Sequence, residues 1–291
     1  MLLPSASSLS RRTLLLSATG LATATLAAST LSPPAFAEDN KDNKMKATFV
    51  LVHGSFHGNW CWSRLIPMLE REGHKVLAPN LPASGGDPAP IENADLASYA
   101  TRVAGVIDGI AGPVILVGHS MGGIVTSQVS EQRPNRLLAA IYINGLLLRN
   151  DESLGSFLDA NKALNVDDLV LKNMKVSADG QTATFPPEKA AEVFYNTCTA
   201  ADADWAKSQL TPQRTKVYGD KLQLTPERYG KVKRFYVKGA KDHAVSPLYQ
   251  DAMLKNTPCD QVFTLDGDHS PFLSAPDKLA EIILSVSKSV G

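Results

Sequence analysis

The stretch Pro113-Val114-Ile115-Leu116-Val117-Gly118-His119-Ser120-Met121-Gly122-Gly123-Ile124 opens as a continuous apolar run and then breaks into a glycine-rich turn. A short apolar run bounded by a turn is the pattern of a strand buried on both faces. Residues 121–132 that follow predict a helix. Between the two sits Gly118-x-Ser120-x-Gly122, the pattern of a nucleophilic serine on a sharp strand-to-helix turn. In so tight a turn, side chains two before and two after the serine would collide, which accounts for glycine at both places. The turn lifts the Ser120 hydroxyl above the sheet and aims the positive N-terminal end of the helix at the reacting oxygen. The bland alternative is a glycine-rich loop that merely starts a helix. The strand directly before it and the helix directly after favour a nucleophile.

Outward from this turn the chain alternates strand and helix. Upstream, residues 47–53 (Ala47-Thr48-Phe49-Val50-Leu51-Val52-His53) predict a first strand. Residues 62–72 carry helical spacing at Leu65, Met68 and Leu69, and residues 75–79 predict a second strand. Residues 96–110 read as a helix with Leu96, Tyr99 and Val103 on one stripe. Downstream, residues 138–143 predict a fourth strand. The alternation then stops: residues 146–232 hold mixed polar helices and a hairpin around Ala178-Asp179-Gly180. It resumes with a strand at 235–238, a helix at 248–255, a strand at 261–265 and a last helix at 275–287. Alternation on both sides of a long insertion predicts an α/β chain over 47–291, a parallel sheet wrapped by helices, with a small cap inserted at about 146–232. In such sheets the active site lies at the carboxyl ends of the strands.

A serine hydroxyl is a poor nucleophile until a base takes its proton. His269, in Asp266-Gly267-Asp268-His269-Ser270-Pro271 after the last strand, stands where a chain ordered Ser, acid, His places its base. Among the other histidines, His74 reads as a surface-turn residue and His119 as pointing away from Ser120. The acid should follow the strand after the insertion, where Lys238-Gly239-Ala240-Lys241-Asp242-His243 offers Asp242. Asp266 and Asp268 compete, but carboxylates beside His269 in sequence are poorly placed to orient its imidazole from behind. An oxyanion needs two backbone donors, expected from the N–H of Met121 and from that of Ser55 in His53-Gly54-Ser55-Phe56-His57-Gly58. His53 and His57 stand four apart, a metal-ligand spacing on a helix, yet His53 closes a strand; neither a metal nor a cofactor is expected. Phe157, Phe185, Phe194, Tyr195 and Trp205 are candidate pocket residues from the insertion.

Composition narrows the partners. With 291 residues, 44% of them hydrophobic and 20% charged, the chain can bury a full core. Its 29 basic and 29 acidic residues write no basic face for nucleic acid and favour a small, neutral substrate. Residues 1–37 stand apart. Ser10-Arg11-Arg12-Thr13-Leu14-Leu15 precedes a stretch rich in Ala, Thr and Leu that ends in Ala35-Phe36-Ala37, an A-x-A cleavage pattern. Paired arginines before a modestly apolar segment resemble a twin-arginine export signal. That predicts a periplasmic or secreted mature chain with no stable membrane association, against the alternative of a retained anchor. Residues 38–46 read as a flexible lead-in. Cys61, Cys198 and Cys259 show no C-x-x-C spacing and read as small buried residues, although an oxidising compartment would allow one disulfide.

With these residues assembled, the chain resembles the α/β-hydrolase superfamily, and within it the plant methylesterase and hydroxynitrile lyase family with related bacterial esterases. The resemblance rests on the stretch from Phe49 to Trp62, on Glu72-Gly73-His74-Lys75-Val76 and on Pro82-Ala83-Ser84-Gly85-Gly86-Asp87. Phe194-Tyr195-Asn196-Thr197-Cys198 and Gly267-Asp268-His269-Ser270-Pro271 extend it. It implies a mostly parallel sheet of six strands, a small cap over an apolar pocket, and a triad of Ser120, Asp242 and His269. The lyases share that triad, but carry a threonine after the first-strand histidine and a lysine directly after the catalytic histidine. Here those positions are Gly54 and Ser270, and Met121 replaces the cysteine usual in the lyases. The resemblance therefore implies a serine esterase that cleaves small carboxylic esters through an acyl-enzyme. Carbon–carbon lyase chemistry on cyanohydrins and a weakly catalytic, ligand-binding role are the alternatives. A homodimer is the one protein partner left open.

Overall fold

Residues 46–291 are described by the structure, a computed structural model; the expected export signal at 1–37 and nearly all of the 38–46 lead-in lie outside them. The apolar runs upstream of the insertion are the strands β1 (Thr48–Val52), β2 (Lys75–Leu77), β3 (Val114–His119) and β4 (Leu137–Ile143). Three short strands follow, β5 (Lys175–Val176), β6 (Thr182–Thr184) and β7 (Gln213–Arg214), before the main sheet resumes with β8 (Arg234–Gly239) and β9 (Gln261–Leu265). The helices between the first strands are α1 (Leu65–Arg71), α2 (Leu96–Asp108) and α3 (Gly122–Gln132). Five helices lie between β4 and β8: α4 (Leu154–Ala160), α5 (Leu169–Asn173), α6 (Pro187–Phe194), α7 (Ala200–Ser208) and α8 (Lys216–Gly219). The chain closes with α9 (Pro247–Asn256), α10 (Pro271–Ser274) and α11 (Pro276–Val290).

The six main strands order as β2-β1-β3-β4-β8-β9, and every neighbouring pair is parallel. Alternation along each strand divides the core in two. Phe49, Leu51, Ile115, Val117 and Ile141 pack with Leu65 and Leu69 of α1 and Leu279 and Ile283 of α11. Val50, Val52, Leu116 and Tyr142 pack with Tyr99 and Val103 of α2, Ile124 and Val125 of α3, and Met253 of α9. Full burial of each such side chain contributes about 1.5–3 kcal/mol. Local chemistry fixes where the helices begin. Asp95 caps α2 by accepting the Ser98 N–H at 2.8 Å while Ser98 Oγ accepts the Asp95 N–H, and the buried stripe from Leu96 to Ile107 follows.

β1 continues to β2 on one side of the sheet, whereas β3 continues to β4 on the other. The adjacent carboxyl ends of β1 and β3 therefore border a topological switch point, where such sheets open a binding crevice. Ser55 follows β1 and Ser120 follows β3. The insertion folds as short helices over this end with its own antiparallel sheet β5-β6-β7. The hairpin expected at 178–180 joins β5 to β6; β7 reaches β6 from across the insertion and has no signal in its two residues. His74 is not a free surface residue: its ring meets Phe49 edge-on at 4.8 Å and Nδ1 bonds the Ala47 carbonyl. None of the three cysteines is in a disulfide. Among the described residues no helix is long and apolar enough to cross a membrane.

The approach of α3 to β1 leaves no room for a side chain at its first residue. A Cβ at Gly122 would sit 2.6 Å from the Val52 carbonyl oxygen and 2.8 Å from that of His53. Gly105 in α2 meets nothing within 4 Å. Gly122→Ala is expected to cost about 1–3 kcal/mol by forcing strand and helix apart. Gly105→Ala should instead stabilise by about 0.5–1 kcal/mol. Thermal unfolding of the two variants, measured side by side, checks both signs.

Candidate active site

Ser120 adopts a left-handed backbone with φ of +54°, a strained conformation for a residue with a side chain. Three backbone hydrogen bonds hold it there. Its N–H donates to the Ile143 carbonyl at 3.1 Å, and its own carbonyl accepts from Gly123 and Leu146, each at 2.9 Å. A Cβ at Gly118 would fall 2.2 Å from Thr126 Oγ1 and 2.5 Å from the Gly122 carbonyl oxygen, so the glycines around the serine are steric necessities.

The structure brings Asp242 behind His269. Asp242 Oδ2 accepts from His269 Nδ1 at 2.9 Å, with both side chains buried. Its other oxygen accepts the N–H groups of Ala244 and Val245, both at 2.8 Å, and Gln250 Nε2 lies 3.3 Å from Oδ2. A carboxylate so surrounded by donors is fixed in direction. With the proton assigned to Nδ1 by this partner, Nε2 of His269 is left as an acceptor. Ser120 and His269 line one cavity, although the structure forms no hydrogen bond between them, as is common before substrate binds. Asp266 lies apart, paired with Lys241 at the surface. Asp268 is buried but serves elsewhere, accepting from Ser270 N–H, Ser274 Oγ and the Thr197 N–H of the insertion.

The loop carrying His269 is also gripped from below. His119 Nε2 bonds the His269 carbonyl at 2.8 Å. Asn144 Nδ2 donates to the carbonyls of Asp268 and His269 at 2.9 and 3.1 Å. Sequence reasoning missed Asn144, although an asparagine directly after β4 and before Gly145 is a usable signal: it sits at φ of +46°. Gln250 behind Asp242 had no signal of its own.

On the other side of the serine, Ser55 and Met121 line the cavity. Neither backbone N–H finds an acceptor among the described residues. Two histidines fix the Ser55 loop. His53 Nδ1 donates to the Gly54 carbonyl at 2.9 Å, and its Nε2 accepts the Leu81 N–H at 3.1 Å. His57 Nδ1 donates to the Ser55 carbonyl at 2.8 Å, and its Nε2 accepts from Tyr195 Oη at 2.9 Å. Burial lowers the His53 pKa to about 4 and that of His57 to about 3, and pushes His119 well below the usual imidazole range. With both nitrogens of each ring engaged, His53 and His57 act as neutral struts.

The cavity holds about 220 Å³. Of the aromatic candidates, Phe157 and Phe194 line it. Phe185 packs beneath Phe194 at 4.4 Å, Tyr195 bonds His57, and Trp205 lies edge-on to Trp60 near the surface. Leu146, Leu154, Leu158 and Met174 complete an apolar wall. The polar lining is Ser55, Ser120, His269, Tyr218, Tyr249 and Asp168. Asp168 caps α5 through the Leu171 N–H at 2.9 Å, and burial raises its carboxyl pKa. No lysine or arginine lines the cavity among the described residues. A Cβ at Gly54 would stand 2.7 Å from Ser120 Cβ, so this backbone has no place for the lyases' threonine.

Residues 49–282 match the family model described as the alpha/beta hydrolase family. Putative methylesterase 15, chloroplastic, of Arabidopsis thaliana is 33% identical over 82% of this chain, which spans 56% of that relative's length. Methylesterase 7 of the same plant is 30% identical, with 85% of this chain and 98% of the relative covered. The crystal structure of polyneuridine aldehyde esterase is similar at a TM-score of 0.74 and 26% identity, covering 83% of this chain and 99% of that one.

The buried neutral histidines make stability depend on pH. In the unfolded chain an imidazole takes its proton near pH 6.5, whereas folded His53 and His57 resist it to about 4 and 3. Below pH 6.5 the unfolded state therefore binds more protons, and stability falls as pH drops. Tm should be flat from pH 8 to 7 and decline between pH 6.5 and 5, above the carboxylate range. His57→Gln, which can still donate to Ser55 and accept from Tyr195, should reduce that slope. An unchanged slope in the variant would overturn the assignment.

Proposed function

Because the chain belongs to the alpha/beta hydrolase family, we propose that it hydrolyses small, uncharged carboxylic esters through an acyl-enzyme on Ser120. The observation that carries this reading is the buried 2.9 Å bond from His269 to Asp242 beside the strained Ser120 turn, with Ser120 and His269 on one cavity wall. Ser120 Oγ attacks the ester carbonyl and passes its proton to His269 Nε2. The oxyanion forms between the N–H groups of Ser55 and Met121. The tetrahedral centre then collapses, His269 protonates the departing alcohol, and the acyl group stays on Ser120. Water, deprotonated by the same imidazole, attacks the acyl-enzyme; the acyl–Oγ bond breaks, His269 returns the proton to Ser120 Oγ, and the acid leaves. Asp242 keeps the imidazole in the working tautomer and stabilises the imidazolium without taking its proton.

Three features support the substrate class. A cavity of about 220 Å³ is smaller than the usual range for drug-sized ligands, which favours a compact acyl group. Its wall is apolar, and the single acid Asp168 disfavours substrates that carry a carboxylate of their own. The relatives named methylesterases favour a short alcohol. The lyase alternative lacks support: Gly54 has no room for a threonine, and Ser270, where the lyases carry lysine, is fully buried with its N–H on Asp268.

Wild-type protein should release acid from short methyl and aryl esters, and Ser120→Ala should abolish both turnover and labelling by a fluorophosphonate. Asp242→Asn, which leaves the geometry but disturbs the tautomer, should lower kcat by about 10⁴-fold. Turnover that survives Ser120→Ala would remove the serine from the mechanism.

Export is the second element of the proposal. It rests on Arg11-Arg12 and the A-x-A ending at Ala37, all within residues outside those described. Full-length protein expressed in a bacterium should be recovered from the periplasm or medium with Glu38 as its first residue. Changing Arg11 and Arg12 to lysine should hold it in the cytoplasm. Terminal sequencing of the fractions checks both.

A further inference from the structure

Ser55 offers the cavity more than its backbone. Tyr218 donates its hydroxyl proton to Ser55 Oγ at 2.9 Å, and both residues line the cavity with Ser120 and Met121. A serine hydroxyl has one proton and two lone pairs. Since Ser55 Oγ accepts from Tyr218, its own proton is available to a second acceptor. Resting on the esterase reading, we propose that the Ser55 hydroxyl is a third donor to the oxyanion and that Tyr218 is the positioning residue that aims it.

The surroundings fit this role. Ser55 is fixed through its carbonyl by His57 Nδ1, and His57 is fixed in turn by Tyr195. The hydroxyl can still rotate on this fixed backbone, and the bond from Tyr218 restricts that rotation. Burial pushes the phenol of Tyr218 above its usual range, so it stays protonated wherever the enzyme is folded. A chain from phenol to serine to substrate oxygen strengthens as its last acceptor gains charge. A carbonyl oxygen in the bound ester is a weak acceptor, and the oxyanion is a strong one. The contribution should therefore fall on kcat, with little effect on ground-state binding. Tyr218 lies on α8 and Ser55 follows β1, so the insertion would complete the catalytic machinery as well as cover it.

The test uses the full chain with Ser55→Ala, which keeps the backbone N–H, together with Tyr218→Phe and the double variant. Loss of a complete oxyanion donor lowers kcat by about 10²–10³-fold; Ser55→Ala should lower it by about 10–100-fold with KM moving less than about threefold. Tyr218→Phe should lose less, and nothing further in the Ser55→Ala background. Affinity for a trifluoromethyl ketone, which forms a tetrahedral adduct on the nucleophile, should fall in step with kcat, while inhibition by the product acid stays constant. Ser55→Thr, which restores a hydroxyl, should recover most of the rate and also serves if the alanine variant fails to fold. Unchanged kcat in Ser55→Ala, a loss confined to KM, or additive losses in the double variant would overturn the proposal. Failure of the esterase reading looks different: wild type itself would release no acid and would not be labelled at Ser120.

Discussion

The structure depends on how closely the turn after β3 packs against the end of β1. Ser120 can stand in its left-handed conformation only because the backbone around it approaches to distances that exclude side chains at Gly54, Gly118 and Gly122. The same approach places the start of α3 directly behind the serine, so the positive end of the helix faces the site of attack. It also brings the residue after β1 into the cavity that the serine enters. Strain at one residue is thus held by a ring of backbone contacts, and the placement of Ser120 beside the loop after β1 follows from it.

A second constraint supports His269. The loop bearing His269 is fixed by polar groups from three directions. Asp242 holds the imidazole, Asn144 and His119 hold the carbonyl beneath it, and Asp268 ties the neighbouring backbone to Thr197 of the insertion. Buried polar groups impose one geometry where they are paired, as these are at the atoms that face the loop. His53 and His57 serve the other half of the site in the same way. Four of the six histidines thus lie on the loops of the site or brace them, and burial holds His53, His57 and His119 below the usual imidazole range.

What the sequence discloses follows contiguity. The strand–turn–helix around Ser120, the alternating strands, and the positions of Asp242 and His269 are written in short runs whose periodicity is local. Asp242 could be preferred to Asp268 on geometry because a carboxylate on the adjacent residue is poorly placed to orient the imidazole from behind. The structure adds that Asp268 is occupied in anchoring the insertion. The pairs that position the site were not legible: Asn144 with residues 268 and 269, Tyr195 with His57, and Tyr218 with Ser55 join segments more than a hundred residues apart. No local pattern encodes them, since each partner in isolation is an ordinary polar residue. The two-residue strand β7 was illegible for the same reason, because its pairing lies wholly in the fold.

These long-range pairs change how the insertion should be regarded. Aromatic residues in an inserted segment are commonly its own core, and Phe185 behaves that way, buried beneath Phe194. Tyr195 and Tyr218 do not: their hydroxyls point into the loop after β1 and grip it at the ring of His57 and the side chain of Ser55. Thr197 grips the loop of the base through Asp268. Movement of the insertion away from the sheet would therefore loosen the Ser55 loop and the His269 loop together. A segment that both encloses an apolar cavity and braces the two halves of the machinery couples substrate enclosure to catalytic alignment. In a site of this design, changes in the insertion that alter substrate size should also alter the rate constant of the chemical step, because the same backbone carries both.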